Sequence, residues 1–302
     1  MLGKFPLSLM CAAPTWTYNR RVRRKEFSRK AAHHAGGRDA SRKVGLARAL
    51  SKMGLCSRSQ AAEMIHAGRV RLNGAVKRDP ETPVHFGFDR IEVDGRASVA
   101  APRVYLMLNK PRGAVTTASD EKGRQTVYDF LPPASLPGNS PAQHPAKSLL
   151  GERGARWIAP VGRLDKASEG LLLLTNDSEW AARVIAPNTH LDKTYHVQIA
   201  RVADDRLVAR LQNGVVSNGE MLQVKSVKLL RSGEKNSWLE IVLDEGKNRH
   251  IRRMLDALGV EVLRLVRVAV GPLALGDLAK GSSRPLTPAE KALLDRAMMD
   301  FR

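Results

Sequence analysis

At 302 residues the chain is long enough for one small and one larger folded unit. Its 50 Lys+Arg against 30 Asp+Glu leave a formal net charge of +20, a field suited to a polyanion, although charge alone does not choose among RNA, DNA and an anionic membrane surface. Two cysteines make no disulfide framework, no CxxC, HExxH or zinc-spaced cluster offers a metal site, and no apolar run approaches the ~20 residues needed to cross a bilayer.

Residues 1–43 read as a basic, disordered tail that adds phosphate affinity. Residues 1–44 hold 11 Lys+Arg against 2 acids, nearly half of the whole excess. A secretory or transit-peptide reading fits less well, because Pro6 and Pro14 interrupt the apolar stretch and the basic run Arg20 to Lys30 follows it.

Regular patterning begins at Val44. Leu46, Leu50 and Met53 recur at helical spacing, with Gly54 as a stop. Ser57 and Gln60 form a capping-box pattern for a second helix ending near Gly68. A strand over Arg69 to Leu72 leads into an Asn73-Gly74 hairpin turn, and Ile91 to Gly95 reads as another strand and turn. Residues 44–96 thus form one compact α/β unit.

A larger unit is expected over residues 103–290, with 291–302 as a C-terminal tail. It opens with an apolar strand, Val104 to Leu108, and a helical turn near Tyr128 to Leu131. Residues 132–156, rich in Pro, Gly, Ser and Ala, read as an inserted flexible loop. Leu171 to Leu174 is a buried strand, Ser178 to Ala186 a helix ended by Pro187, Tyr195 to Ile199 a strand, and Asp204 to Gln212 a helix. Met221 to Leu230 and Trp238 to Leu243 read as strands, Asn248 to Leu258 as a helix, and Glu261 to Val270 as a strand. The expected class is α+β, with a mixed, largely antiparallel sheet and helices packed on it.

Two places draw attention chemically. Arg249, Arg252 and Arg253 lie off the apolar stripe of the Asn248 to Leu258 helix, with Lys247 and His250 nearby. The pattern suits phosphates or a buried carboxylate, and equally a solvated basic face. Asp165, just before the leucine strand, reads by pattern alone as a turn or cap residue. No second carboxylate with a matched role is evident, unlike the pair used in glycoside hydrolysis.

Gly162 to Asp177 (GRLDKASEGLLLLTND) resembles the catalytic motif of pseudouridine synthases, and Lys193 to Ile199 (KTYHVQI) their tyrosine motif. Glu245 to Gly259 (EGKNRHIRRMLDALG) and the segment Leu263 to Leu275 resemble the RsuA-like branch, which modifies ribosomal RNA. Residues 44–96 resemble an S4 RNA-binding domain. The resemblance covers about residues 44–290 in order; the tail and the longer loop before Gly162 depart from it.

The resemblance implies that uridine in structured RNA is isomerised to pseudouridine. The C–N glycosidic bond breaks, the base rotates, and C5 is joined to the ribose and then loses its proton. No cofactor or metal is implied. Asp165 matches the catalytic aspartate, acting either as nucleophile or by drawing a proton from the sugar. Tyr195 matches the residue that stacks on the uracil. Arg252 matches the basic residue that holds the aspartate, with Arg253 as the competing choice. Arg163 is expected to bind the backbone or help extrude the nucleotide. Lys247, Arg249 and Arg253 are expected at the RNA, and Leu265 at the apolar pocket wall. Base flipping is implied, because C5 must be exchanged for N1 outside the stack. In the S4-like unit Arg58, Arg69, Arg71 and Lys77 are the expected phosphate contacts. With 5% aromatic residues and no stacking motif, shape and backbone recognition is expected there. The expected partner is ribosomal RNA or an assembly intermediate, large-subunit (23S-type) before small-subunit (16S-type), met by a monomer in a bacterial-type cytoplasm. The alternatives are a non-catalytic RNA-binding or ribosome-assembly factor, and a glycosylase, which would need an activated water.

Overall fold

The computed structural model describes residues 43–118, 120–131 and 157–299. The expected N-terminal tail and inserted loop lie outside these residues.

The N-terminal unit is built on two short helices, α1 (Leu46–Lys52) and α2 (Arg58–His66), preceded by β1 (Lys43–Gly45). The Ser57 hydroxyl accepts from the Gln60 N–H at 3.1 Å, and the Gln60 side chain accepts from the Ser57 N–H at 3.0 Å. That reciprocal cap satisfies two N–H groups that the helix itself leaves without partners. β2 (Val70–Leu72) and β3 (Ala75–Lys77) turn through Asn73 and Gly74, both at positive φ, 53° and 82°. This is the geometry an Asn-Gly hairpin turn needs. β4 (Pro83–His85) pairs with β1, and β5 (Ile91–Val93) and β6 (Arg96–Ala97) complete a sheet of order β3-β2-β5-β6. Leu46, Leu50, Met64, Ile65 and Val70, all at or below 2% exposure, form its core.

The larger unit begins with β7 (Tyr105–Lys110), a 3-10 turn at Val127–Phe130, β8 (Ala159–Val161) and β9 (Glu169–Thr175). α3 (Ser178–Ile185), capped by the Asp177 carboxylate, precedes β10 (Lys193–Ile199). α4 (Asp205–Gln212) leads to a hairpin of β11 (Val215–Ser217) and β12 (Glu220–Leu222), then β13 (Ser226–Ser232) and β14 (Ser237–Leu243). α5 (His250–Ala257), β15 (Val262–Val270), β16 (Leu273–Ala274), β17 (Ser283–Pro285) and α6 (Pro288–Ala297) follow. The main sheet runs β13-β14-β10-β15-β9-β7-β17, antiparallel throughout except for the parallel β15–β9 pair. A mixed, largely antiparallel sheet was expected, and it is observed.

Leu171 to Leu174 are at most 2% exposed, so β9 is buried on both faces; each such leucine contributes roughly 1.5–3 kcal/mol. The parallel β15–β9 pair needs Gly170. A Cβ there would lie 2.3 Å from the Arg267 carbonyl oxygen, so the strands approach closely only because position 170 has no side chain.

Three expectations are corrected. Met221 to Leu230 is not one strand. It breaks after Leu222, because Asn218 and Gly219, both at positive φ, turn β12 back onto β11 as a separate hairpin. The arginine helix starts at His250, not Asn248, because Arg249 sits in the left-handed region at φ 48°. Residues beyond 290 are not a tail through 299. α6 crosses that boundary, with Leu294 at 0% and Met298 at 7% exposure in the core formed with Trp180 and Leu191.

Candidate active site

Asp165 lies in the loop between β8 and β9. Leu164 is buried beside Leu172 and Leu174, which fixes its neighbour at the rim. The loop backbone is tied on several sides. The Thr116 hydroxyl donates to the Leu164 carbonyl at 2.8 Å, the Gly113 N–H donates to the Lys166 carbonyl at 2.8 Å, and the Ser168 N–H donates to the Asp165 carbonyl at 2.9 Å. Below it stands Lys110, fully buried at the end of β7. Its ammonium donates to the carbonyls of Pro111 (3.2 Å), Asp165 (3.1 Å) and Ser168 (2.8 Å). Burial pushes that ammonium down to about 8, while the charges of Asp165 and Glu169 oppose the shift. A loop whose carbonyls converge on one cation has little freedom to move its carboxylate.

The Asp165 side chain, 36% exposed, faces an open cavity of about 450 Å³. Tyr195 comes to the same cavity from β10, in register with Ile241 on one side and Arg267 on the other. Leu265, on the same face of β15, supplies an apolar wall and is 6% exposed. Arg163, Lys247, Arg249 and Arg252 also line it. The structure therefore brings Asp165, Tyr195, Arg252, Arg163, Lys247, Arg249 and Leu265 together. Glu245 is a second carboxylate at the rim, but Lys247 holds it at 2.9 Å.

The arginines divide their work differently from the expectation. Arg249, not Arg252 or Arg253, is the guanidinium within ion-pair range of Asp165, at 3.9 Å. The left-handed backbone at Arg249 takes it off the helical track and turns it over the loop. Arg252 donates to the Ala167 carbonyl at 3.0 Å, so it grips the loop backbone rather than the carboxylate. Its Nε is buried with no hydrogen-bond partner among the described residues. Burial and then the charge of Arg249 push its pKa below the usual guanidinium value, with the charge of Asp165 opposing them. Arg253 does not line the cavity. It donates to Glu220 at 2.8 Å and to the Ser217 carbonyl at 3.1 Å, which ties α5 to the β11–β12 hairpin. His250 is buried, and burial lowers its imidazole, so it adds little positive charge at neutral pH.

In the N-terminal unit Arg58 and Arg71 are exposed and Lys77 is half-buried. Arg71 donates to the Gly74 carbonyl at 3.1 Å. Arg69 corrects the expectation of a free phosphate contact: Asp94 accepts from it at 2.8 and 2.6 Å, so its charge is already matched.

Three cations at the site, Lys193 and Arg267 lining the cavity and Lys110 buried beneath the Asp165 loop, were not singled out from the sequence. Lys110 ends an apolar strand just before a proline, where a lysine reads as exposed. Lys193 belongs to the KTYHVQI run; burial and the charge of Arg267 lower its ammonium. Arg267, 7% exposed, donates to the Leu171 carbonyl at 2.7 Å. Its signal was available: it alternates with Leu265 on one strand face.

Family models agree with this geometry. Residues 104–257 match RNA pseudouridylate synthase, and residues 44–91 match the S4 domain. The chain is 36% identical over 258 residues to ribosomal large subunit pseudouridine synthase B of Bacillus subtilis (strain 168), covering 84% of this chain and 96% of that protein. It is 34% identical over 250 residues to an RNA pseudouridine synthase of Aquifex aeolicus (strain VF5), covering 82% and 92%. A crystal structure of a pseudouridylate synthase superposes with a TM-score of 0.54 at 29% identity, covering 83% of this chain and 99% of that one. The chain belongs to the RNA pseudouridylate synthase family and carries an S4 domain ahead of its catalytic fold.

Proposed function

We propose that this enzyme isomerises one or a few uridines of large-subunit (23S-type) ribosomal RNA, in a bacterial-type cytoplasm and as a monomer, with small-subunit RNA as the second choice. The relatives' names support the ribosomal target. The division of labour has residues 44–96 grip the RNA and the unit from residue 103 onward perform the chemistry. Asp165 assists cleavage of the glycosidic bond, Tyr195 stacks on the freed uracil, and Leu265 closes the apolar side. Arg252 holds the Asp165 loop, Arg249 faces the carboxylate, and Arg163 and Lys247 meet the flanking phosphates. Substrate and product are isomers, so no water need be activated and one carboxylate is sufficient.

The observation that carries this reading is the convergence of Asp165, Tyr195 and the start of α5 on one open cavity of about 450 Å³. That volume suits an extruded nucleotide. The test is to incubate the full chain with unmodified 23S-type and 16S-type transcripts and map pseudouridine by primer extension after carbodiimide treatment. Conversion at one or a few large-subunit positions is expected. Conversion confined to the 16S-type transcript would reverse the order, and conversion of neither would refute the ribosomal assignment.

A further inference from the structure

Between β4 and β5 the N-terminal unit presents two phenyl rings to solvent, Phe86 at 45% and Phe88 at 74% exposure. The loop that carries them is held rigidly. The Phe88 and Asp89 N–H groups donate to the His85 carbonyl at 3.1 and 3.0 Å, and the His85 N–H returns to the Asp89 carboxylate at 2.7 Å. Asp89 also accepts from the Asn73 side chain at 2.9 Å, which anchors the loop to the β2–β3 turn. The N–H groups of His85, Phe88 and Asp89 and the Asp89 carboxylate are thus satisfied within the unit, and the two rings are left facing solvent.

Cations lie beside this loop. The Lys52 ammonium lies 6.0 Å from the Phe86 ring centroid. Lys43 faces His85 across the β1–β4 ladder and is itself exposed, whereas the Arg90 side chain, 70% exposed, is paired with Glu92 at 2.9 Å. Lys52 also pairs with Glu179 in the first turn of α3 at 2.8 Å, and Ile185 at the other end of that helix lines the Asp165 cavity. From Glu179 to Ile185 the helix advances only ~9 Å. Through Lys52, Phe86 is linked to one end of the short helix whose other end lines the cavity, a span of a few nucleotides.

Exposed rings among lysines and arginines are the means by which proteins hold single-stranded nucleic acid, the ring face taking a base and the cations its phosphates. A protein partner would be expected to meet a continuous apolar patch, whereas the residues beside Phe88 are His85, Asp89 and Arg90. We propose that Phe86 and Phe88 stack on unpaired bases that flank the structured element holding the target uridine. This inference rests on the RNA reading above and adds a substrate requirement to it: an unpaired stretch beside the stem. It also revises the expectation that the N-terminal unit reads only shape and backbone.

The probes are two RNA hairpins, one blunt and one with a short unpaired extension bearing 2-aminopurine, titrated with the full chain. Wild type is expected to bind the extended hairpin about tenfold more tightly, with altered 2-aminopurine emission. Phe86→Ala/Phe88→Ala should lose that preference, keep wild-type affinity for the blunt hairpin and keep its salt slope, because no charge is removed. Phe88→Trp, which keeps a stacking ring, should retain the preference. Equal binding of both hairpins by wild type that still converts uridine would overturn the stacking role and leave the RNA function standing. Binding of neither hairpin by wild type would count against both. A double variant that binds both hairpins as wild type does but no longer associates with ribosomal particles would overturn the proposal in favour of a protein partner.

Discussion

Replacing Lys110 by methionine separates folding from chemistry in this enzyme. The side chain keeps its length and apolar stem but loses the ammonium that ties the Pro111, Asp165 and Ser168 carbonyls together. Two opposing effects on stability can be compared. Depression of the ammonium from 10.5 to about 8 reflects about 3 kcal/mol of unfavourable charge burial, which methionine relieves. Against this, the Ser168 carbonyl is left buried and the Pro111 carbonyl half-buried, while the Asp165 carbonyl keeps the Ser168 N–H. Those losses cost about 1–4 kcal/mol. The variant should therefore melt within about 2 kcal/mol of wild type in stability, yet turn over roughly 10²-fold more slowly, since small misplacements of a reacting group have effects of that size. Calorimetry and single-turnover conversion of a transcript measure the two quantities. A folded variant with wild-type turnover would refute the clamp.

The pH dependence has a definite sign. The folded-state value lies below the unfolded one, so between about pH 8 and 10.5 the unfolded chain holds the extra proton. The Lys110 penalty is fully present below that window and is relieved as pH rises through it, so wild type gains stability there relative to Lys110→Met. Activity should move the opposite way, because a neutral amine has two donors for three carbonyls. A wild-type stability profile parallel to that of the variant through this window would contradict the assignment.

Other perturbations address the arginines. Arg249→Ala should slow turnover while leaving RNA affinity within a few-fold, and Arg249→Gly should be more stable than the alanine variant by about 1 kcal/mol, because φ is 48° there. Equal melting of the two would remove the backbone argument. Arg58→Gln/Arg71→Gln should weaken RNA binding and flatten its salt dependence, whereas Arg69→Gln should do less, its charge being matched by Asp94. Equal effects from all three positions, measured by filter binding across salt, would contradict that ranking.

Much of the architecture was legible in residue order because local chemistry fixed it. Ser57 with Gln60, Asn73 with Gly74, and the run Leu171 to Leu174 each specify their structure within a few residues. What stayed hidden depends on distant partners. Nothing near Arg249 announces a left-handed residue that reaches Asp165, and nothing near Arg69 announces Asp94. Periodicity cannot tell a lysine bonded to three carbonyls from one in water, so Lys110 passed as the end of a strand. α6 was missed although Thr287, Pro288 and Glu290 give it a clear N-terminal signal; it buries only Leu294 within the helix and Met298 at its C-cap, too few for an apolar period. The catalytic role proposed for Asp165 was never a matter of pattern and rests on resemblance to the family.

The account turns on the Asp165 carboxylate, and tritium release from RNA containing 5-tritiated uridine, under single-turnover conditions, tests it most directly. Asp165→Asn should bind the RNA with wild-type affinity and release no tritium above background. Release by that variant at the wild-type rate would show that another group performs the chemistry.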